Sequence, residues 1–409
     1  MAGEIARRDL LRLGLAGPLL CGLGPRQQLA ASPKAPQEPP AEGQRPYLTK
    51  PHDFGDVSRG NPNPKTLRGD ALVRARLTPE TWRLEISADE KADLEHSLVG
   101  ERAIDYPALL KLAETRGIRY FKALQCNNIA VPLGQGLWEG VALRDLLKLC
   151  GKISDVRRVM YWGFHNDVPQ QMFRSSMAIN QVLDTPPGDL PPMVATKLNG
   201  SPIPLERGGP VRMIVPWAHG FKSIKWLQQI VLTNRYEAND TYAEKNNDPE
   251  SYLKTAAYFD SEKEISVATD SLRVTGTAMV GWPGLDRVEY WLRPSAHASK
   301  DLPSSDPAWS GASWKPVSLD PFATDWKDQL PGGVLPKDVW GFDAEGRPKE
   351  WPLRFSLAPW RLELKGLGPG KYELRVRSVD RNGFAQPEPR PNHQSGDNLI
   401  PCRLITVTG

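Results

Sequence analysis

The sequence predicts an α+β protein in which a mixed α/β domain is followed by an antiparallel β-sandwich. Up to about residue 260, apolar runs typical of buried strands alternate with stretches at helical spacing. After residue 261, short segments alternate apolar and polar residues between Gly/Pro turns, as in Tyr372, Leu374 and Val376. The length of 409 residues exceeds that of one typical core and agrees with more than one domain.

The chain divides into four predicted segments: 1–31, 32–46, 47–260 and 261–409. The first carries Arg7-Arg8 before a short apolar run, which is typical of a Tat export signal. A chance arginine pair in an ordinary secretory leader is the alternative. Residues 32–46 form a Pro-rich linker, and we expect the mature protein in the periplasm.

The overall charge and the cysteines exclude several classes of protein. There are 52 basic and 48 acidic residues, a net charge of +4, and no long basic run, so a nucleic-acid partner is not expected. The leader's apolar run is broken by Gly and Pro, so no membrane span is expected. The cysteines show no zinc spacing, and we expect no disulfide, with Cys150–Cys402 as the open alternative.

One segment, from Phe121 to Gly151, presents a cysteine at the end of a strand. Phe121 to Leu124 is a short apolar run, after which Cys126 enters a loop punctuated by Pro and Gly up to Gly136. A helix that ends at Gly151 follows. Taken alone, Cys126 is most simply a buried, inert thiol.

A second segment, Gly209 to Lys225, combines a buried strand with a lysine-bearing turn. After Gly220, the residues Lys222, Ser223 and Lys225 offer ammonium groups and backbone N–H groups that suit a phosphate. Arg212 in the strand adds a bidentate donor. The alternative is that these lysines only solvate an edge strand.

These two segments resemble the sulfite oxidase family of molybdenum enzymes. LQCNN followed by GLWEGV and LRDLL is similar to the family's cysteine segment, and GGPVRMIVPWAHGFKSIKWL is similar to its cofactor-phosphate segment. The resemblance covers residues 45 to 260 well and the rest loosely. It implies a molybdopterin-binding catalytic domain at 47–260, an immunoglobulin-like dimerisation domain at 261–409, and therefore a homodimer.

The resemblance also implies a molybdenum–molybdopterin cofactor and a set of site residues. Cys126 would be the metal ligand, and Tyr242 and Arg174 would act catalytically, with Thr241 as the alternative to Tyr242. An N-terminal loop at 47–63, with His52 and Arg59, would approach the cofactor. The cofactor-binding residues would be His165, Asn166, Ser176, Arg207, Arg212, Lys222, Ser223 and Lys225.

The residues after Cys126 leave the substrate open. Sulfite oxidisers of the family carry an arginine there for the anionic substrate, whereas this chain continues Asn127, Asn128, Ile129. The charge would then come from Arg174, Arg59 or His219, or the substrate would not be sulfite.

Three functions follow. The first is a sulfite dehydrogenase-like enzyme acting on a small oxyanion, with electrons passing to a separate carrier such as cytochrome c, because the chain has no CxxCH haem motif. The second is a molybdenum reductase of S- or N-oxides, since the GFKSIK turn also resembles the sulfoxide-reducing branch. The third is an exported, metal-free binding or assembly protein that retains the fold.

Overall fold

The computed structural model describes most of the chain after residue 45. The described residues are 46–58, 60, 62–89, 91–127, 129, 131–164, 172–238, 240–241, 248–295, 308, 311–322, 325–387 and 399–408. His165, Asn166, Tyr242 and Arg59 lie outside them, as do the predicted leader and nearly all of the predicted linker.

Helices in the described residues are short, and strands dominate. The helices are α1 (Asp70–Arg74), α2 (Tyr106–Arg116), α3 (Leu143–Leu147) and α4 (Ile179–Leu183). The strands up to residue 233 are β1 (Arg83–Asp89), β2 (Asp93–Leu94), β3 (Ile104–Asp105), β4 (Gly117–Leu124), β5 (Gly134–Ala142), β6 (Ile153–Ser154), β7 (Arg158–Gly163), β8 (Arg174–Ala178), β9 (Met193–Leu198), β10 (Ser201–Pro202), β11 (Arg212–Ile214) and β12 (Leu227–Thr233). The later strands are β13 (Ala256–Phe259), β14 (Glu264–Val267), β15 (Leu272–Met279), β16 (Leu285–Pro294), β17 (Lys315–Leu319), β18 (Leu357–Leu364), β19 (Gly370–Asp380) and β20 (Cys402–Val407).

The first domain contains two sheets that share a core. One has the order β3-β1-β12-β7-β8, and β1 and β12 run parallel in it. The other has the order β10-β9-β5-β4, with β11 also pairing with β9. Alternate residues of β1, Leu84 and Ile86, are fully buried between the elements, as the period of two predicts. The same core includes Leu146 and Leu147 of α3.

The second domain is the predicted β-sandwich. Its strands follow the order β13-β15-β18-β17-β16-β19-β20-β14, and β17 pairs with both β16 and β18, so that it links the two halves. Side chains of both halves meet in one core, for example Trp360 from β18 and Val376 from β19. The sheet begins at Ala256, which is earlier than the predicted boundary at residue 261.

A Pro/Trp-rich insert between β17 and β18 covers the first domain. Trp326 stacks on Phe121 of β4 with ring centroids 5.8 Å apart and an interplanar angle of 17°. The backbone N–H of Trp340 donates to the carbonyl of Arg119 in the same strand. The insert therefore caps the outer face of the β4–β5 pair.

Several predicted element bounds are corrected by the structure. The Cys126 loop ends before Gly134, because Gly134 and Gly136 already pair with β4 as part of β5. Arg174 and Ser176 lie in strand β8. The described cysteines, Cys126, Cys150 and Cys402, form no disulfide. Within the described residues, no helix is both long enough and apolar enough to cross a bilayer.

Candidate active site

The Cys126 loop and the lysine-bearing turn meet directly. Cys126 follows β4, is 6% exposed, and is preceded by the fully buried Gln125. The N–H of Gly220 donates to the carbonyl of Gln125 at 2.6 Å. The sequence separates these segments by almost a hundred positions, and the fold places them in backbone contact.

Backbone contact of this kind restricts the residue at position 220. A Cβ on Gly220 would lie 3.1 Å from the Gln125 carbonyl oxygen, which is tighter than an ordinary contact. His219, buried beside it, donates its backbone N–H to the carbonyl of Ser251 at 2.9 Å. The Ser251 hydroxyl in turn donates to the Asn127 side-chain oxygen at 2.9 Å, so the residues on both sides of Cys126 are held by hydrogen bonds.

A second part of the site is a cluster of three cations, Arg207, Arg212 and Lys225, which we call the cationic pocket. Arg212 is buried and donates to the carbonyls of Arg207, at 2.7 Å, and of Ser223, at 2.6 Å. Arg207 donates to the carbonyl of Phe54 at 3.1 Å. Lys225 donates to the Ser58 hydroxyl at 2.5 Å and to Asp56 Oδ1 at 3.3 Å.

The pKa of each of these three cations is lowered. Burial, reinforced by the neighbouring Arg207, lowers the pKa of Arg212 to about 9. Burial also lowers the pKa of Lys225 to about 7, since the attraction of Asp56 does not offset burial and the repulsion of both arginines. The pKa of Arg207 is lowered by burial as well, against the pull of Asp56 and Glu206. The pocket therefore holds more positive charge than its own carboxylates balance.

One carboxylate of the pocket, Asp56, comes from the N-terminal loop that the sequence predicted to approach the cofactor. Burial opposes its ionisation, but Lys225 and Lys65 hold its pKa well below the ordinary value. Asp56 and Ser58 were not among the predicted site residues. No sequence pattern singled them out, because they lie among turn-forming residues in a loop without hydrophobic periodicity.

Lys222 points away from the cationic pocket. Its ammonium group donates to Asp240 Oδ1 at 3.0 Å and to the carbonyl of Ser176 at 2.5 Å, and its side chain is 1% exposed. Asp240 also accepts from Ser175, at 2.5 Å, and from the hydroxyl of Ser176, at 2.7 Å. Asp240 was missed in the sequence because it lies in an Asn-rich acidic stretch that looks exposed.

The other predicted residues are placed as follows. The Ser223 hydroxyl accepts from the N–H of Val215 at 3.1 Å, which closes the turn onto β11. Arg174 lies on β8, where its backbone N–H donates to the Thr241 hydroxyl at 3.0 Å. His165, Asn166 and Tyr242 are outside the described residues. The predicted roles of Lys222 and Ser223 as phosphate ligands and of Ser176 as a cofactor-binding residue stay predictions, and the structure gives each of them a partner within the protein.

The residues present fit a phosphate-bearing cofactor with a thiolate-ligated metal. Among the described residues, the buried Nε atoms of Arg207 and Arg212 have no hydrogen-bond partner. A phosphate would supply acceptors for them and balance the charge that now repels within the pocket. Cys126 adds a soft ligand that is not tied up in a disulfide.

Comparison with known proteins gives the same result. Residues 71–241 match the family described as oxidoreductase molybdopterin binding domain. This part of the chain is a molybdopterin-binding oxidoreductase domain.

Individual relatives match over different lengths. Mitochondrial sulfite oxidase of Drosophila melanogaster is 26% identical over 329 residues, which is 76% of this chain and 52% of that protein. A nitrate reductase [NADPH] of Fusarium oxysporum is 36% identical over 107 residues, which is 26% of this chain and 11% of that protein. This chain thus spans at most about half the length of these curated relatives.

The fold is shared with a solved structure, the sulfane dehydrogenase SoxCD from Paracoccus pantotrophus. The TM-score is 0.55 at 14% identity, with 97% of this chain and 100% of that chain covered. The coverage includes the sandwich, so the shared fold extends over both domains of this chain. Because the identity is low, this likeness concerns the fold alone.

Proposed function

We propose that this protein is a molybdenum-dependent oxidoreductase of the sulfite dehydrogenase type that passes electrons to a separate carrier such as cytochrome c. The observation that carries the proposal is the junction of the Cys126 loop with the Gly220 turn, beside a pocket of three cations that the protein's own carboxylates do not balance. The similarity to sulfite oxidase over 76% of the chain supports the sulfite type.

Bound molybdenum–molybdopterin supplies the oxygen-atom exchange and takes up the electrons. The residues of this chain hold and shield that group. Cys126 would ligate the metal through its thiolate, and Arg207, Arg212 and Lys225 would hold the cofactor phosphate by charge-assisted hydrogen bonds. Asp56 and Ser58 would orient the Lys225 ammonium group.

Lys222 and Asp240 would support the site without contacting the cofactor. Their buried ion pair links the turn after Gly220 to β8 through Ser175 and Ser176. Fixing the turn in this way keeps Lys225 directed into the cationic pocket. The proposal includes periplasmic localisation, which is supported by Arg7-Arg8 and the short apolar run that follows, and a homodimer formed through the sandwich domain.

A second candidate is a reductase of neutral S- or N-oxides. It is favoured by the described residues that follow Cys126, namely Asn127, Ile129 and Val131, which carry no positive charge. An uncharged loop accepts an uncharged substrate without a desolvation penalty for an unmatched anion. Nitrate reductases among the similar sequences show that this domain also occurs in reductases.

Two steady-state assays on protein matured in a cofactor-competent host separate the candidates. We expect sulfite to be oxidised with cytochrome c as acceptor, and methyl sulfoxides to be reduced slowly with reduced dye. Faster turnover of the sulfoxide than of sulfite would reverse the assignment. Protein without bound molybdenum in elemental analysis would favour a metal-free binding role instead.

A further inference from the structure

A buried lysine precedes Cys126 in strand β4. Lys122 is 0% exposed, and its ammonium group donates to the carbonyl of Ala218 at 3.1 Å. No carboxylate of the described residues pairs with it. The other two lysines of the site differ in this respect, because Lys222 pairs with Asp240 and Lys225 with Asp56.

Packing does not explain a lysine at this position. Its neighbours in β4, Tyr120, Phe121 and Leu124, are buried and predominantly apolar. A methionine would fill the same volume without the desolvation that a cation suffers. Burial holds the pKa of Lys122 well below its ordinary value, and no carboxylate of the described residues offsets this effect. A lysine at this position is explained if an anion that is not part of the chain binds near it.

The backbone places Lys122 at the site junction. The carbonyl that accepts from Lys122 belongs to Ala218, two residues before Gly220. Gly220 is bonded to the carbonyl of Gln125, the residue before Cys126. Because consecutive Cα atoms are about 3.8 Å apart, those of residues 218 and 220 lie within roughly 8 Å of each other. Lys122 and the Cys126 loop are thus tied to the same three-residue segment.

We propose that Lys122 supplies the positive charge for an oxyanion substrate at the Cys126 site, in place of the arginine that this loop lacks. This inference rests on the proposed function and makes Lys122 a specificity-determining residue for it. In a buried site of low dielectric, Lys122 would take up a proton as an oxyanion binds, because the attraction between the paired charges offsets the desolvation of the ammonium group. It also leaves the binding of a neutral substrate nearly unaffected.

The test uses the molybdenum-loaded enzyme, in which the cofactor phosphate already occupies the cationic pocket. Lys122→Met removes both the charge and the hydrogen bond, whereas Lys122→Gln keeps a donor for the Ala218 carbonyl and removes only the charge. Lys148→Met, at an exposed lysine paired with Asp145, is the matched control. Binding of sulfate, a non-reacting oxyanion, is measured by calorimetry, and KM and kcat are measured for sulfite and for a neutral methyl sulfoxide.

We expect both Lys122 variants to raise the sulfate Kd and the sulfite KM by roughly tenfold to a hundredfold, as for the loss of a hydrogen bond to a charged group. The KM for the sulfoxide should not change in either Lys122 variant, and Lys148→Met should change neither the sulfate Kd nor the KM values. Both Lys122 variants should melt no lower than the wild type. An unchanged sulfate Kd in Lys122→Gln would overturn the assignment. So would an equal rise in KM for sulfite and sulfoxide. Wild-type protein that binds sulfate through Lys122 but turns over neither substrate would contradict the proposed function and leave this inference standing.

Discussion

Replacing Asp240 by asparagine tests whether the buried ion pair with Lys222 fixes the turn after Gly220. Asp240 is 0% exposed, and it accepts hydrogen bonds from Lys222, Ser175 and Ser176. The asparagine keeps the size of the side chain but leaves the Lys222 ammonium group buried without a counter-charge. Removing one partner of such a pair costs about 3–5 kcal/mol.

An exposed ion pair provides the internal comparison. Asp343 pairs with Arg347, whose side chain is 71% exposed, so Asp343→Asn should cost far less than Asp240→Asn, because solvent screens an exposed ion pair. The double variant Asp240→Asn/Lys222→Met removes both charges and should recover much of the loss, because no charge is then buried alone.

Urea unfolding followed by tryptophan fluorescence gives the free energies, and the molybdenum content of the same preparations reports on the site. We expect Asp240→Asn to lower the free energy of unfolding and the molybdenum content, and the double variant to regain stability. The reasoning fails if Asp240→Asn costs no more than Asp343→Asn, or if the double variant is less stable than either single variant of the pair.

Three further predictions concern the cofactor site. Cys126→Ser should abolish turnover while the protein stays folded, and undiminished turnover would remove Cys126 as the metal ligand. Gly208→Ala should reduce cofactor retention, because Gly208 has φ +96° and an added Cβ would lie 2.6 Å from the Lys225 side chain. Gly188→Ala is the control for backbone strain alone, since Gly188 has φ +87° and an added Cβ would have nothing within 4 Å. This control should not affect cofactor retention. In the cofactor-free protein, Lys225 has a pKa of about 7 against the ordinary lysine value of 10.5, so the unfolded state binds more protons between these values. Stability should therefore rise from pH 7 towards pH 10, and Lys225→Met should flatten this rise in thermal melts; a rise of the same size in Lys225→Met would contradict the assignment.

Much of the fold follows from local sequence patterns. The apolar run before Cys126 became the end of β4, because buried strands need little more than a short apolar segment bounded by turns. The alternation around Tyr372 became β19 of the sandwich. Gly134 and Gly136 misled the prediction, since glycines in this strand allow close approach of neighbouring side chains rather than a turn.

The site could be predicted only in part. Cys126 and the turn after Gly220 carried motifs, and the fold brings the two segments into backbone contact. The directions of Lys222 and Lys225 could not be predicted, because a 3-10 turn at Gly220–Lys222 sends the first towards Asp240 and leaves the second for Asp56. Lys122 looked like one polar residue in an apolar run, and its burial depends on contacts that are distant in the sequence.

The molybdenum content of purified protein, matured in a cofactor-competent host, tests the central claim most directly. The account predicts stoichiometric molybdenum in the wild type and a strong loss of it when Arg212 and Lys225 are both replaced by methionine. Wild-type protein without molybdenum, or a double variant that retains the full amount, would contradict a cofactor held between Cys126 and the cationic pocket.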